Sequence, residues 1–212
     1  MDNFLNYLIK KSDIQNNEFF NYKQRERKVD ATPISISYSN EPNAQSYVVL
    51  DFETTGFNYN SDRIIEIGAV KVLNGKPCDK IDTLVDPEIN IPYYIVEKIG
   101  ISNEMTYNKP TIEELLPRLV EFIGALPVVA HNARFDMSFL IANCKRLLID
   151  FDNQCIDTLK LSKIYNKECK RHNLQYLKEF FGIDYGVAHR AYDDAYSTFM
   201  LYEIIKNKYN NM

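Results

Sequence analysis

The stretch Val48-Val49-Leu50-Asp51-Phe52-Glu53-Thr54-Thr55-Gly56 places two carboxylates at the end of a short apolar run. The β-branched and aromatic residues of positions 47–52 predict a buried strand. Since alternate side chains of a strand point to the same face, Asp51 and Glu53 are expected to point the same way. A carboxylate that leaves water is costly unless it is paired or binds a metal, so this pair indicates a candidate cation site.

Two further acidic clusters lie at the edges of apolar segments. Asp136 closes the segment Val129-Ala130-His131-Asn132-Ala133-Arg134-Phe135-Asp136, and the segment His189-Arg190-Ala191-Tyr192-Asp193-Asp194 holds a histidine and two aspartates. Taken alone, each carboxylate is typical of a strand end, a helix start or surface charge, and a lone histidine is commonly structural. Three clusters in one small domain are better explained by a shared cation site.

The pattern of apolar residues predicts an α/β fold in which helices flank a mixed five-stranded sheet. The first three strands follow one another in antiparallel order, and Asn74-Gly75 marks a hairpin between the second and the third. Strand and helix then alternate, which is typical of parallel pairing. The predicted strands are 47–52, 63–73, 80–85, 127–131 and 154–157. The predicted helices are 92–100, 111–124, 135–148, 158–165, 174–181 and 192–209.

Residues 1–46 are predicted to form an N-terminal extension and linker that precedes a domain of residues 47–212. Positions 1–29 carry apolar residues at helical spacing, whereas positions 30–46 are rich in Ser, Asn, Pro and Thr and lack long periodicity. A short strand is expected at 34–36. Two roles for the extension stay open at this point, which are docking of a partner and covering of an apolar edge.

Composition excludes several classes of protein. The chain has 212 residues, a formal net charge of −4 and a pI of about 5.5, which argues against coating of duplex DNA through many phosphate contacts. The four cysteines form no Cys-x-x-Cys pair, which argues against a zinc ribbon. Neither a secretory signal nor an apolar run of membrane-spanning length is present, so we expect a cytoplasmic protein without a membrane partner.

Four carboxylates and a histidine suit the hydrolysis of a phosphodiester. Two divalent cations about 3.5–4 Å apart can activate water and stabilise the leaving oxygen. Mg²⁺ prefers oxygen ligands, which Asp51, Glu53, Asp136 and Asp194 would supply. Histidine is the side chain type that can take up and release a proton near neutral pH, so His189 is the natural general base.

From residue 47 to residue 206 the chain resembles the DEDD exonuclease superfamily in its histidine-bearing branch, DEDDh. The resemblance rests on the motifs that begin at Asp51, His131 and His189, with weaker matches at 64–70, Gly100-Ile101 and Asp157-Thr158-Leu159. It is greatest to the proofreading exonucleases of bacterial replicative polymerases, which are the epsilon subunit of DNA polymerase III and the exonuclease of PolC-type polymerases. It implies a ribonuclease H-like fold and the release of nucleoside monophosphates from a DNA 3′ end.

The resemblance also implies a role for each matching residue. Two divalent cations, Mg²⁺ with Mn²⁺ as a substitute, would be held by the four carboxylates, while His189 deprotonates the attacking water. Asp193 is the neighbour of a ligand, because the family spacing selects Asp194. Substrate contacts are expected from residues of the first two motifs: Thr54, Thr55, Gly56, Phe57, His131 and Asn132. His131 and Asn132, which belong to the second motif, either orient the substrate or support the strand end.

Three functions remain open at the level of sequence. The first is proofreading or end processing at a single-stranded or frayed 3′ end of DNA, with a DNA polymerase as a candidate partner. The second keeps the chemistry but acts on RNA, as oligoribonuclease and RNase T do. The third is a partner-binding module without catalysis, against which the presence of all five chemical positions argues.

Overall fold

The computed structural model describes residues 33–39 and 42–212, so the helix predicted at 1–29 lies outside the described residues. A five-stranded sheet has the order β3-β2-β1-β4-β5. Pairing is antiparallel between β1 and β2 and between β2 and β3, and parallel from β1 through β4 to β5. The predicted mixed sheet is therefore confirmed. The strands are β1 (Tyr47–Thr54), β2 (Ile64–Leu73), β3 (Lys76–Leu84), β4 (Val128–Ala130) and β5 (Cys155–Asp157).

The hairpin between β2 and β3 turns at Asn74 and Gly75, which both have positive φ angles of 52° and 75°. Asn-Gly adopts this conformation readily, and the resulting tight turn matches the twist of the two strands. Pairing resumes at once between Leu73 and Lys76. For this reason β3 begins four residues before the start at residue 80 that the sequence predicts.

Helices cover both faces of the sheet. Their bounds are α1 (Tyr93–Ile99), α2 (Asn103–Thr106), α3 (Ile112–Ile123), α4 (Arg134–Arg146), α5 (Thr158–Tyr165), α6 (Leu174–Phe181) and α7 (Ala191–Asn210). The predicted capping box of α3 is present, with the Thr111 N–H donating to Glu114 Oε2 at 2.7 Å. Sequence periodicity misses α2, which is too short to show it. Among the helices of the described residues, none combines the length and apolar character needed to cross a bilayer.

The two faces of β1 pack into different cores. Val48, Leu50 and Phe52 join an apolar cluster with α3 and α4, whereas Tyr47 and Val49 join a second cluster with α5, α6 and α7. Because strand side chains alternate, Asp51 and Glu53 continue the second face toward α7. A third, smaller cluster packs α1 against Ile65 of β2.

The segment 33–39 lies along β5 at the outer side of the sheet. The Ser39 N–H donates to the Cys155 carbonyl at 2.8 Å, and the Cys155 N–H donates to the Ser37 carbonyl at 2.7 Å. The short strand expected at 34–36 is wrong, since the single bridge forms at Tyr38 instead. Ile34 and Ile36 are partly buried against the first core cluster. The described part of the extension thus covers a sheet edge, while the domain boundary at residue 47 stays a prediction.

Candidate active site

The end of β1 and the start of α4 meet through a buried carboxylate. Asp51 and Glu53 are partly buried on the α7 face of β1, and Asp136 is only 3% exposed. The Phe52 N–H donates to Asp136 Oδ1 at 3.0 Å, which fixes the first turn of α4 against β1. Three acidic side chains from two separate motifs are therefore gathered at one end of the sheet.

The start of α7 is held against β2 by a buried glutamate. Glu66 is 1% exposed, and its Oε2 accepts the Ala191 N–H at 2.8 Å. Its Oε1 accepts from Arg190 Nε at 2.9 Å and from Nη2 at 2.6 Å. A Cβ atom at Gly68 would collide with the backbone of Ala191, so only glycine permits this approach. These contacts bring the third motif to the end of β1.

The third motif completes the group of chemical side chains. The His189 N–H donates to Asp194 Oδ2 at 2.9 Å across the start of α7, and His189 has a φ angle of 64°. Glu53, His189 and Asp194 each offer a ligand atom, and these atoms lie within 4.8 Å of one another. Lys178 Nζ lies 3.8 Å from Asp194 Oδ1 and partly balances its charge.

Burial raises the pKa values of all four carboxyl groups, and repulsion by other members of the group adds to the effect at Asp51, Glu53 and Asp136. Burial, followed by the charges of Asp136, Glu53 and Asp194, raises the pKa of Asp51 well above its usual range. Burial raises the pKa of Asp136 to about 8, against the lowering effect of its backbone hydrogen bonds. Burial and then Asp194 raise the pKa of Glu53 to about 7. Burial also raises the pKa of Asp194.

This donor set fits divalent cations. Carboxylates that lie this close together repel one another. The nearby cationic side chains, such as Lys98 beside Glu53 and Lys178 beside Asp194, offset only part of the negative charge. Bound cations would remove the repulsion and supply partners for the desolvated oxygens. The oxygen-rich composition favours hard ions such as Mg²⁺ over zinc.

A cleft of 240 Å³ opens beside Glu53. Four predicted substrate contacts line it, and they are Thr54, Gly56, Phe57 and Asn132. Sequence reasoning missed the opposite wall, which consists of Ile95, Lys98 and Ile99 of α1. No motif marks these residues, and only their proximity in the fold assigns them to the site.

Phe57 and Phe135 form the aromatic side of this cleft. Phe57 is 72% exposed, and its ring lies 6.2 Å from that of Phe135, centroid to centroid. Phe135 is half-buried, and its ring also lies 5.1 Å from that of Phe139, centroid to centroid. It therefore joins the core to the cleft.

Two predicted substrate residues make their observed contacts within the protein. Thr55 Oγ1 accepts the Arg63 N–H at 2.9 Å, which closes the loop after β1. His131 Nε2 bonds the His172 carbonyl at 2.8 Å, and Nδ1 bonds Thr158 Oγ1 at 2.9 Å. Burial lowers the pKa of His131 to about 4, so its ring is neutral and supports the end of β4. Contact of these two residues with substrate stays a prediction.

The amino-acid sequence of this chain matches a known protein family. The sequence model of the exonuclease family, RNase T type, matches residues 48–202. The PolC-type DNA polymerase III of Clostridium perfringens is 40% identical over 183 residues, and that of Caldanaerobacter subterraneus subsp. tengcongensis is 41% identical over 169 residues. These matches cover 86% and 80% of this chain but 12% of each relative, so the chain spans about an eighth of their length.

Solved structures agree with the sequence relatives. Exonuclease X in complex with 5′-overhanging duplex DNA has a TM-score of 0.61 and 27% identity, and the match covers 77% of this chain and 92% of that chain. Exonuclease I of E. coli has a TM-score of 0.70 and 18% identity, with 79% of this chain and 42% of that chain covered. The second likeness supports the fold, which is the ribonuclease H-like arrangement expected from the motifs.

Proposed function

The chain belongs to the exonuclease family, and from this premise we propose that it removes nucleoside 5′-monophosphates from the 3′ end of DNA. The observation that carries the proposal is the meeting of three distant motifs at one end of the sheet. Asp136 bonds the β1 backbone, and His189 and Asp194 lie within 4.8 Å of Glu53 through their ligand atoms. All five chemical positions are present, which argues against a partner-binding module without catalysis.

Two divalent cations would be held by Asp51, Glu53, Asp136 and Asp194. When bound, they supply an activated water and stabilise charge on the phosphate and the leaving oxygen. The raised pKa values of these carboxyl groups support the assignment, because each group gains from a cationic partner. Mg²⁺ is the proposed physiological ion, and Mn²⁺ has the same preference for oxygen ligands.

His189 is the proposed general base. Its side chain is exposed at the mouth of the site, whereas its backbone N–H is fixed to Asp194. The imidazole can therefore accept the proton of a water molecule beside Glu53. The left-handed backbone conformation of His189 sets the direction of its side chain. Such a base contributes about 10²–10⁴-fold to the rate.

The cleft beside Glu53 is the proposed place of the 3′-terminal nucleotide. Phe57 offers an exposed ring on which any base can stack, which suits an enzyme that must remove all four nucleotides. Lys98 Nζ lies 5.6 Å from the centre of that ring, so the cleft carries a positive charge that suits a phosphate group. Thr54 and Gly56 also line this cleft.

DNA is favoured over RNA as the substrate by the relatives at 40% identity, which are DNA polymerases. A DNA polymerase is likewise the proposed partner, because the relatives that match this chain are DNA polymerases. Proofreading of a single-stranded or frayed end is the role that this setting supports. The cytoplasmic location stays a prediction from the sequence.

The test is a degradation assay on 5′-labelled single strands of DNA and RNA with Mg²⁺, Mn²⁺ or a chelator. Stepwise shortening of DNA that needs a divalent ion is expected, and the variant Asp51→Asn should lose it. Asp79→Asn, on the exposed edge strand β3, is the matched control. Inertness on both polymers with both ions would refute the proposal, and equal activity of the Asp51 variant would point to a contaminating nuclease.

A further inference from the structure

Residues 182–190 join α6 to α7 and carry His189 to the candidate site, and we name this connection the His189 loop. Its start is packed, since Ile183 is 5% exposed and joins the second core cluster. Its later part is open, because Val187 is 67% exposed and both Ala188 and His189 are exposed as well. Apolar packing therefore does not fix the part of the loop that holds the proposed general base.

The backbone of the His189 loop also lacks the support that helices and strands give. Within the part of the chain that the structure describes, residues 184–189 form no hydrogen bond between backbone groups. The loop nevertheless adopts left-handed conformations, with φ angles of 60° at Gly186 and 64° at His189. A residue other than glycine keeps this conformation only where its surroundings enforce it. We therefore looked to side-chain contacts for the support of the loop.

Two consecutive aspartates of α7 each accept one N–H group of this loop. Asp194 Oδ2 accepts the His189 N–H at 2.9 Å, and Asp193 Oδ2 accepts the Val187 N–H at 2.8 Å. The family spacing selects Asp194 as the cation ligand and leaves Asp193 as its neighbour. The carboxylate of Asp193 thus makes a contact of its own, close to His189 along the chain.

Gly186 and Asp193 lie directly against each other. A Cβ atom at Gly186 would lie 2.2 Å from Cγ and 2.6 Å from Oδ1 of Asp193. The close approach and the positive φ angle both favour glycine at this position. An aspartate that only placed negative charge at the start of a helix would need neither this approach nor the bond to Val187.

A second set of contacts holds the loop at Tyr185. The Tyr185 carbonyl accepts from Lys178 Nζ at 3.0 Å, and the Tyr185 ring stacks on that of Tyr196 with the centroids 4.1 Å apart. The Lys178 side chain is itself 8% exposed. These contacts fix the loop as far as Tyr185, and the Asp193 carboxylate continues the support to Val187.

We propose that Asp193 is a positioning residue, which holds the His189 loop so that the imidazole of His189 faces the site. The proposal rests on the proposed function, because it assumes that His189 is the general base. Asp193 acts through the Val187 N–H, while Asp194 fixes the N–H of His189 itself. The two aspartates of the third motif therefore have different tasks, one as a proposed cation ligand and the other as the support of the base.

The first experiment needs neither metal nor turnover. Backbone ¹⁵N relaxation in a chelator measures the order parameters of the amides of Val187, Ala188 and His189. We expect about 0.85 in the wild type and less than about 0.6 in Asp193→Ala. Asp193→Asn loses the negative charge but keeps an acceptor oxygen, so it should retain the wild-type values. Asp184→Ala is the matched control, because it removes an exposed carboxylate from the same loop.

The second experiment measures kcat and KM on a single-stranded DNA oligonucleotide at saturating Mg²⁺. Asp193→Ala should lower kcat by about tenfold and leave KM nearly unchanged, because a displaced base impairs the chemical step and not the binding of substrate. Asp193→Asn and Asp184→Ala should both retain the wild-type kcat. In a His189→Ala background, Asp193→Ala should cause no further loss, since the group that Asp193 positions is already absent.

Unchanged order parameters or an unchanged kcat in Asp193→Ala overturns the proposal. A full additional loss in the His189→Ala background also overturns it, because Asp193 would then act on the fold and not on His189. A loss of kcat in Asp193→Asn as large as that in Asp193→Ala would assign the effect to charge at the start of α7 and counts against the proposal. If the wild type cleaves no strand, the proposed function fails, and the order parameters alone then decide whether Asp193 holds the loop.

Discussion

The folded protein disfavours the charged form of the carboxyl groups of Asp136 and Glu53. Burial raises their pKa values to about 8 and about 7, above the ordinary values of 3.8 and 4.5. At pH values between the ordinary and the raised pKa of each group, the folded protein therefore binds more protons than the unfolded chain. By linkage, the free energy of unfolding falls as the pH rises through this range, provided that no cation is bound.

We expect the metal-free protein to lose thermal stability between about pH 6.5 and about pH 8.5, by on the order of 5 °C in Tm. This window lies above the ordinary pKa of histidine, so the neutral His131 does not contribute to the change. Thermal unfolding in a chelator measures the effect. The variant Asp136→Asn should flatten the slope and Asp79→Asn should not, whereas a Tm that rises over this window would contradict the assignment.

His189 carries a prediction about rate. We expect His189→Ala to lower kcat by about 10²–10⁴-fold at saturating metal, because the water then lacks its proton acceptor. His172→Ala is the control, since the His172 ring bonds Ser162 and takes no part in the carboxylate cluster. Steady-state rates on a single-stranded oligonucleotide decide the matter, and an equal loss in both variants would remove His189 from its role.

At the residue scale the sequence predicted candidate chemical residues, but it did not predict the contacts that position them. Asp51, Glu53, Asp136, His189 and Asp194 stand in recognisable motifs, and the structure brings their segments together. Lys98 belongs to no motif, and it lines the cleft only because the fold places α1 beside the end of β1. The neutral state of His131 depends on burial and on the His172 carbonyl, neither of which a sequence displays.

Among the elements, the start of α7 depends on one charge pair. Glu66 is 1% exposed, so its negative charge depends on the two hydrogen bonds from the Arg190 guanidinium group. We expect Arg190→Ala to cost about 2 kcal/mol or more, after allowance for the solvent exposure of Arg190, and to lower Tm by on the order of 5 °C. Metal affinity should fall as well, because Asp194 lies in the first turn of this helix.

Thermal unfolding and metal titration check this prediction, with Arg118→Ala on the exposed side of α3 as the control. A Tm equal to that of the control would show that Glu66 finds another partner. A lower Tm with unchanged metal affinity would show that the pair stabilises the fold without positioning Asp194.

Most elements follow from local patterns. The bounds of α5 and α6 agree with the predicted 158–165 and 174–181, because apolar spacing and capping residues mark both ends. The early start of β3 escapes prediction, since its exposed residues show little alternation and only pairing with β2 makes them a strand. The role of Glu66 was equally hidden, because its partner lies far along the chain.

For the whole molecule, the segment 33–39 acts as a cover for the edge of the sheet. Its removal would expose the backbone of β5 and the apolar surface under Ile34 and Ile36. An unprotected edge strand pairs readily with other chains. We therefore expect a variant without residues 1–39 to have a lower Tm and to self-associate with rising concentration.

A variant without residues 1–32 is the matched control, because it keeps the cover. Light scattering after size-exclusion chromatography, together with thermal unfolding, compares the two truncations. Identical behaviour would show that β5 needs no cover. The sequence indicated this possibility only as one of two roles, since the contact joins residues that are distant along the chain.

The bare backbone at Gly68 has a consequence for how this enzyme can change over generations. A methyl group there would push α7 outward, and with it the proposed proton acceptor and a proposed acidic ligand, while leaving every candidate side chain intact. We expect a lineage that accepts such a substitution to keep all three motifs and to lose the geometry of the proposed site. Intact motifs alone are therefore a poor guide to activity, and the residue opposite the start of the last helix should be inspected with them.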